Sequence, residues 1–163
     1  MSYEIEDPGP AAAEEIFSEH FTRKEFELEG PMPDESVPAF IFLCQNILEP
    51  TRRQFGEPMG VTSGHRTPEG NADAHGNAHS EHVSTSKYCA ADWTMRRFEK
   101  DMRGVFDWIR LNSGLPFHIV TLEHGEQGDV IHISWNAEAD RSARKAKEGA
   151  THNASGYIEW TVA

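Results

Sequence analysis

Apolar residues recur at helical spacing in two stretches of this chain and crowd into short strand-like runs elsewhere, with a long polar segment between. From about Ser36 to Gln54, the residues Val37, Phe40, Ile41, Cys44, Ile47 and Leu48 fall on one helical face. Pro50 lies inside that pattern and is expected to kink or interrupt it, because proline removes a backbone donor and clashes with the preceding turn. A second helix is predicted from Arg97 to about Leu111, with Phe98, Met102, Val105, Phe106 and Ile109 as its buried stripe. Thr22 and Glu25 stand at capping-box spacing and predict a short helix near Phe21–Phe26, ended by Gly30-Pro31-Met32-Pro33. Strands are predicted at Gly60–Ser63, Phe117–Leu122, Val130–Trp135 and Tyr157–Val162. The Ala-rich, charged segment from Glu138 to Gly149 reads as an exposed helix or a flexible stretch. Residues 1–13, with Pro8, Gly9 and Pro10, read as an N-terminal arm, and 14–163 as a single domain without internal repeats. The sum predicts an α+β fold, a small antiparallel sheet flanked by helices.

The polar segment changes this picture. From Gly64 to about Tyr88 the chain is dominated by Gly, Asn, Ser, Thr, Asp and His, and so long a loop inside a compact domain points to function or disorder. Composition excludes some functions. The formal net charge is −12, from 27 acidic against 15 basic residues, which argues against a nucleic-acid groove. No apolar run approaches the roughly 18 residues needed to cross a bilayer. The start of the chain is acidic and lacks the basic and apolar regions of a signal peptide, so a soluble product made in the cytoplasm is expected. Two cysteines are too few for a disulfide framework. Cys44 reads as core, and Cys89, though near the candidate ligands below, is not assigned to them.

Nine histidines are many for a chain of 163 residues. His65, His75, His79 and His82 lie in the polar segment, and His118, His124 and His132 lie on or beside the later strands. His132 interrupts the apolar run Val130-Ile131-His132-Ile133-Ser134-Trp135. Strict alternation puts Val130, His132 and Ser134 on one face and Ile131, Ile133 and Trp135 on the other, so His132 is expected to point from a strand into a polar space. A catalytic zinc takes three protein ligands, usually His or carboxylate, and leaves one position open. His82 and Asp92 can supply one of each, although Asp92 would also serve as the cap of a helix starting near Trp93.

Five fragments occur in an order that resembles the M15 zinc peptidases, the group of D-alanyl-D-alanine carboxypeptidases and phage endolysins. They are Leu48-Glu49-Pro50-Thr51-Arg52, Val61-Thr62-Ser63-Gly64-His65-Arg66, Ser80-Glu81-His82, Ala90-Ala91-Asp92 and Val130-Ile131-His132-Ile133-Ser134. The resemblance runs from about Phe17 to Trp135 and is to the shorter, phage-type members. It implies a hedgehog/DD-peptidase type of fold, and a Zn2+ ion held by His82, Asp92 and His132. It also implies that Arg66 holds the substrate near the scissile carbonyl, with Ser63 and Ser80 beside it. The implied activity is hydrolysis of amide bonds in peptidoglycan stem peptides, by a phage-encoded carboxypeptidase or endopeptidase acting on the cell wall.

Three features depart from the family pattern. The usual His-x6-Asp is here His82-x9-Asp92, with Tyr88 where a Gly is usual, so the loop Val83–Lys87 carries about three extra residues. His65 replaces the usual Tyr. The general base, often a Glu three residues before the last His, would here be Asp129; Glu123 is the rival, and Asp129 is preferred. Two other readings stand beside the peptidase. One is a non-catalytic phage structural or binding protein that retains the fold, and the other is a metal-binding module built from the loop histidines alone.

Overall fold

In the computed structural model, residues 14–74, 79–150 and 156–163 are described. The expected N-terminal arm and His75 lie outside them. The chain opens with a hairpin of β1 (Ile16–Ser18) and β2 (Phe21–Thr22), followed by a 3-10 turn at Arg23–Phe26. The capping signal at this turn is real: the Glu25 carboxylate accepts the Thr22 N–H at 2.7 Å. It closes a single 3-10 turn rather than a longer helix. Phe17, Phe21 and Phe26 from this region are all buried, and Phe26 lies 5.2 Å from the ring of Phe40.

The predicted helix of 36–54 forms as α1 (Val37–Leu43) and α2 (Glu49–Phe55), joined without a break by a π-helical stretch at Cys44–Leu48. Pro50 sits in the first turn of α2, where its missing N–H is tolerated. The chain widens into the π turn just before it, so the interruption expected at Pro50 takes the form of a change in helix type. Glu49, buried beside Pro50, accepts bonds from Ser18 Oγ (2.8 Å), the His20 N–H (2.7 Å) and His20 Nδ1 (2.8 Å), which latch the hairpin onto the helix.

Six strands form the main sheet: β3 (Gly60–Ser63), β4 (Tyr88–Thr94), β5 (Ile119–Gly125), β6 (Gly128–Asn136), β7 (Lys145–Ala150) and β8 (Ile158–Trp160). Their order is β3-β4-β6-β5-β7-β8. The sheet is mixed, because β5 and β7 run parallel while every other pair is antiparallel. This corrects the small, wholly antiparallel sheet expected from sequence; the one purely antiparallel sheet is the two-stranded hairpin.

Three more elements differ from expectation. Within the polar segment, Thr67 caps a short α3 (Pro68–Asp73), its hydroxyl accepting the Gly70 N–H at 3.0 Å. The segment read as helical or flexible after Glu138 becomes a 3-10 turn at Arg141–Ala143 and then β7. There, pairing with β5 overrides the helical propensity of Ala, Lys and Glu. The helix predicted from Arg97 begins later, as α4 (Arg103–Leu111), after a separate turn at Arg96–Phe98.

One face of the sheet is apolar. Ala91 and Trp93, Val120 and Leu122, and Ile131 and Ile133 are fully buried there and belong to one core with Phe40, Leu43, Ile47, Val105, Phe106 and Ile109 of the helices. Each buried Val, Leu, Ile or Phe among them contributes about 1.5–3 kcal/mol on leaving water. The opposite face of the same strands carries the polar residues, which is where the alternation placed His132. No helix among the described residues is long and apolar enough to cross a membrane.

Candidate metal centre

The register of β4 against β6 sets Asp92 directly opposite His132. Directly opposed residues in an antiparallel pair lie on the same face with their Cβ atoms about 5 Å apart, so the two side chains meet on the polar face. Asp92 is therefore a strand residue, not the cap of a helix at Trp93. His82 arrives from the polar loop. Its Nε2 lies 3.1 Å from Asp92 Oδ1 and 3.2 Å from His132 Nδ1, and His132 Nδ1 lies 2.9 Å from Asp92 Oδ1.

The donor set suits a tetrahedral divalent ion. Atoms bound to zinc at about 2.0–2.1 Å in a tetrahedron stand about 3.3 Å apart, close to the three edges of this triangle. The tautomer agrees. His82 Nδ1 meets the Gly64 carbonyl at 2.7 Å; because a carbonyl can only accept, Nδ1 carries the proton and the neutral ring turns its Nε2 lone pair into the cluster. Three electron-rich atoms thus converge with few donors among them, an arrangement that calls for a cation. Burial alone would push the Asp92 carboxyl up, but its close contacts with His82 and His132 hold it well below the usual carboxylate range. Burial pushes His132 down, and the hydrogen bond to Asp92, together with the charges of Asp92, Glu123 and Glu81, raises it overall.

The loop at Ser63–Arg66 clamps His82. Gly64 is required here, since a Cβ would lie 2.4 Å from the Phe26 carbonyl oxygen. That close packing aims the Gly64 carbonyl at His82, and the Arg66 N–H binds the His82 carbonyl at 2.8 Å. The Arg66 side chain lies beside the cluster, with Nη2 3.6 Å from Asp92 Oδ2 and Nε bonded to Glu29 at 2.9 Å. Ser63 is buried and donates its hydroxyl to the other oxygen of Glu29. Ser80 Oγ accepts the His82 N–H at 3.2 Å. Both serines therefore hold the frame of the site.

The two departures flanking His82 fit each other. Ser84, in the lengthened loop, is bonded by His65 Nδ1 at 2.7 Å and by the Ser36 hydroxyl at its carbonyl, 3.2 Å away. His65, the residue in place of the family Tyr, is buried, and desolvation is the main cause that lowers its pKa. The extra residues are thus anchored outside the His82–Asp92 contact. Among the described residues, the loop histidines His65 and His79 do not join His82 in a metal-competent group; Asp92 and His132 do.

The two candidate bases separate. Glu123 pairs with Val130, two register steps from the Thr121–His132 pair, and so shares the face of His132. Asp129 alternates with Ile131 onto the opposite, helix-covered face. There its Oδ2 accepts the Met102 N–H at 2.9 Å, capping α4, and its Oδ1 meets His124 Nδ1 at 2.7 Å. The preference for Asp129 is corrected on this geometry: an odd separation along a strand puts a side chain on the wrong face. Cys89 likewise faces the core, buried and far above its ordinary pKa through desolvation.

Sequence reasoning missed three residues around the site. Glu29 fixes Arg66 from a loop with no signal of its own. Glu81, inside the Ser-x-His fragment, is buried and bonded by Ser134 Oγ (2.7 Å) and His118 Nδ1 (2.9 Å). Tyr157, just before β8, donates its hydroxyl to Glu123 Oε1 at 3.3 Å.

The sequence profile of the family Peptidase M15 matches residues 19–133, a span that holds the three converging residues His82, Asp92 and His132, and also Arg66 and Glu123. Comparison with curated proteins and with solved structures gives no significant match.

Proposed function

Because the chain belongs to the M15 peptidases, a family of metallopeptidases, we propose that it is a zinc-dependent hydrolase of amide bonds in bacterial peptidoglycan stem peptides, of carboxypeptidase or endopeptidase type. The observation that carries this reading is the triangle of His82, Asp92 and His132 donor atoms with edges of 2.9–3.2 Å. The choice of peptidoglycan over other peptides is supported by the five fragments shared with the cell-wall members.

In this reading His82, Asp92 and His132 hold the ion. Zinc in that position would supply Lewis acidity, which acidifies a water and polarises the scissile carbonyl. Glu123 takes a proton from the attacking water and passes it to the departing amine as the carbon–nitrogen bond breaks. Arg66, held by Glu29, stabilises the charge that develops on the carbonyl oxygen. The Gly64 carbonyl keeps the His82 tautomer fixed throughout.

The test is cleavage of purified stem peptides by zinc-loaded protein, read as newly formed carboxyl and amino termini. Wild type should cleave them, and Glu123→Gln should lose cleavage while keeping its zinc. Full activity in Glu123→Gln would remove Glu123 as the base, and no cleavage of any stem peptide by zinc-loaded wild type would remove the substrate assignment.

A further inference from the structure

Tyr157 lies outside the matched family span yet reaches into the site, and a glycine makes room for it. Gly149 of β7 pairs with Glu123 of β5 and lies on the same face. A Cβ at residue 149 would fall 2.0 Å from Tyr157 Cδ1 and 2.6 Å from Cε1. The tyrosine ring therefore occupies the space where a side chain on β7 would stand. From there its hydroxyl donates to Glu123 Oε1 at 3.3 Å. Burial, followed by the charge of Glu123, pushes the phenol pKa up, so the hydroxyl stays protonated and acts as a donor.

We propose that Tyr157 is a positioning residue for Glu123, seated over the bare backbone of Gly149. The inference rests on the reading of Glu123 as the base. The donated hydrogen bond fixes the rotamer of a long, flexible carboxylate and favours its charged form. Glu123 thereby stays ready to accept a proton at lower pH.

Tyr157→Phe keeps the ring and removes the hydroxyl, whereas Gly149→Ala keeps the hydroxyl and displaces the ring. Both variants should lower kcat about tenfold on stem peptides with KM and zinc content unchanged. The acid limb of the kcat/KM profile should move to higher pH in Tyr157→Phe, a shift that a purely structural role would not produce. Unchanged kcat and acid limb in Tyr157→Phe, alongside an inactive Glu123→Gln, would overturn the role of Tyr157 and leave the base assignment intact. Full activity in Glu123→Gln would overturn both.

A different observation points to a subsite. At the far end of β6 a cavity of about 340 Å³ is lined by Phe117, His118, Trp135, Arg141 and Arg144. Arg23, Arg66, Arg97, Arg103 and Arg110 each pair with a carboxylate. Arg141 and Arg144, like Arg52, Arg53 and Arg96, form no such pair among the described residues, but these two stand together at one cavity. Arg144 instead stacks over the Phe117 ring at 5.3 Å. Asp140, also at the cavity, spends its carboxylate on the Ser142 and Ala143 N–H groups of its own turn. His118 is held in the cavity wall by Glu81, the neighbour of His82. Asn136 at the cavity is four strand residues from His132, about 13 Å, a span of about four residues of extended peptide.

We infer that this cavity receives a carboxylate of the peptide substrate, an assignment that rests on the peptidase reading. Equilibrium binding of a stem tetrapeptide to zinc-loaded protein, with Glu123→Gln as the common background so that the peptide stays intact, tests it without requiring cleavage. The Arg141→Ala/Arg144→Ala double variant should bind the free acid about tenfold more weakly than wild type does. Peptides amidated at the side chain or at the C-terminus identify which carboxylate is read, since only one modification should reproduce the loss. Equal affinity of wild type and double variant for the free acid would overturn the subsite, whatever the outcome of the cleavage assay.

Discussion

His132 and Asp129 stand three residues apart on one strand and face opposite sides of one sheet, and each side gathers histidine and carboxylate groups within hydrogen-bond distance. On the helix-covered side, Asp129 accepts from the Met102 N–H and His124, and Glu148 accepts from Arg103, from His124 at 2.7 Å and from Trp160 Nε1 at 3.0 Å. Donors there match acceptors, so the cluster is complete as folded. On the other side, Asp92 and the Nε2 lone pair of His82 converge on His132 with too few hydrogens to share. The difference teaches that contact between an acid and a histidine is not by itself a reason to propose a metal site; a shortage of donors is.

The sharpest way to break this comparison is to alter an acid on each face. Glu123→Gln should lower kcat by about 10²–10⁴-fold, the range removed with a general base, with zinc retained. Asp129→Ala should leave kcat per folded molecule unchanged. A large loss of kcat in the Asp129 variant at full folding would reverse the assignment of the faces. The next effect in size concerns the clamp on His82. Gly64→Ala forces the Ser63–Arg66 loop away from Phe26, and zinc affinity measured by competition with a chelator should fall about 10–100-fold.

Asp129→Ala should instead show its effect in stability. Loss of the α4 cap and of a partner for His124 should cost about 1–3 kcal/mol in urea unfolding. The smallest effect is a pH dependence on the same face. The hydrogen bond to Glu148, followed by that to Asp129, raises the His124 pKa above its ordinary value. Its contribution to stability is therefore fully present below about pH 6.5 and is lost as pH rises through the raised folded value. His124 is 45% exposed, so screening limits the contribution to about 1 kcal/mol or less. The gap in unfolding free energy between wild type and His124→Gln should be widest near pH 6 and close in alkaline buffer.

Local patterns in the sequence carried the polar face, and pairing between distant segments decided the rest. The alternation around His132 gave its orientation, and the order of five short fragments gave its partners. The same alternation, applied to Asp129, argues against it as a base, because 129 and 132 differ by an odd number. The strand at Tyr88–Thr94 was not legible, since Cys89-Ala90-Ala91-Asp92 has no strong strand composition and owes its form to β3 and β6 on either side. Lys145–Ala150 was hidden for the same reason: its burial of Glu148 depends on Arg103 and His124, which lie far away in sequence. Tyr157 could not be placed at all without knowing that β7 lies beside β5.

The most direct test of the central claim is zinc stoichiometry, by elemental analysis of wild type, His82→Ala, His132→Ala and Asp129→Ala purified in the presence of zinc. The account predicts one zinc per chain in wild type and Asp129→Ala, and none in either histidine variant. Zinc retained by His82→Ala and His132→Ala, or a wild type that takes up none, would contradict it.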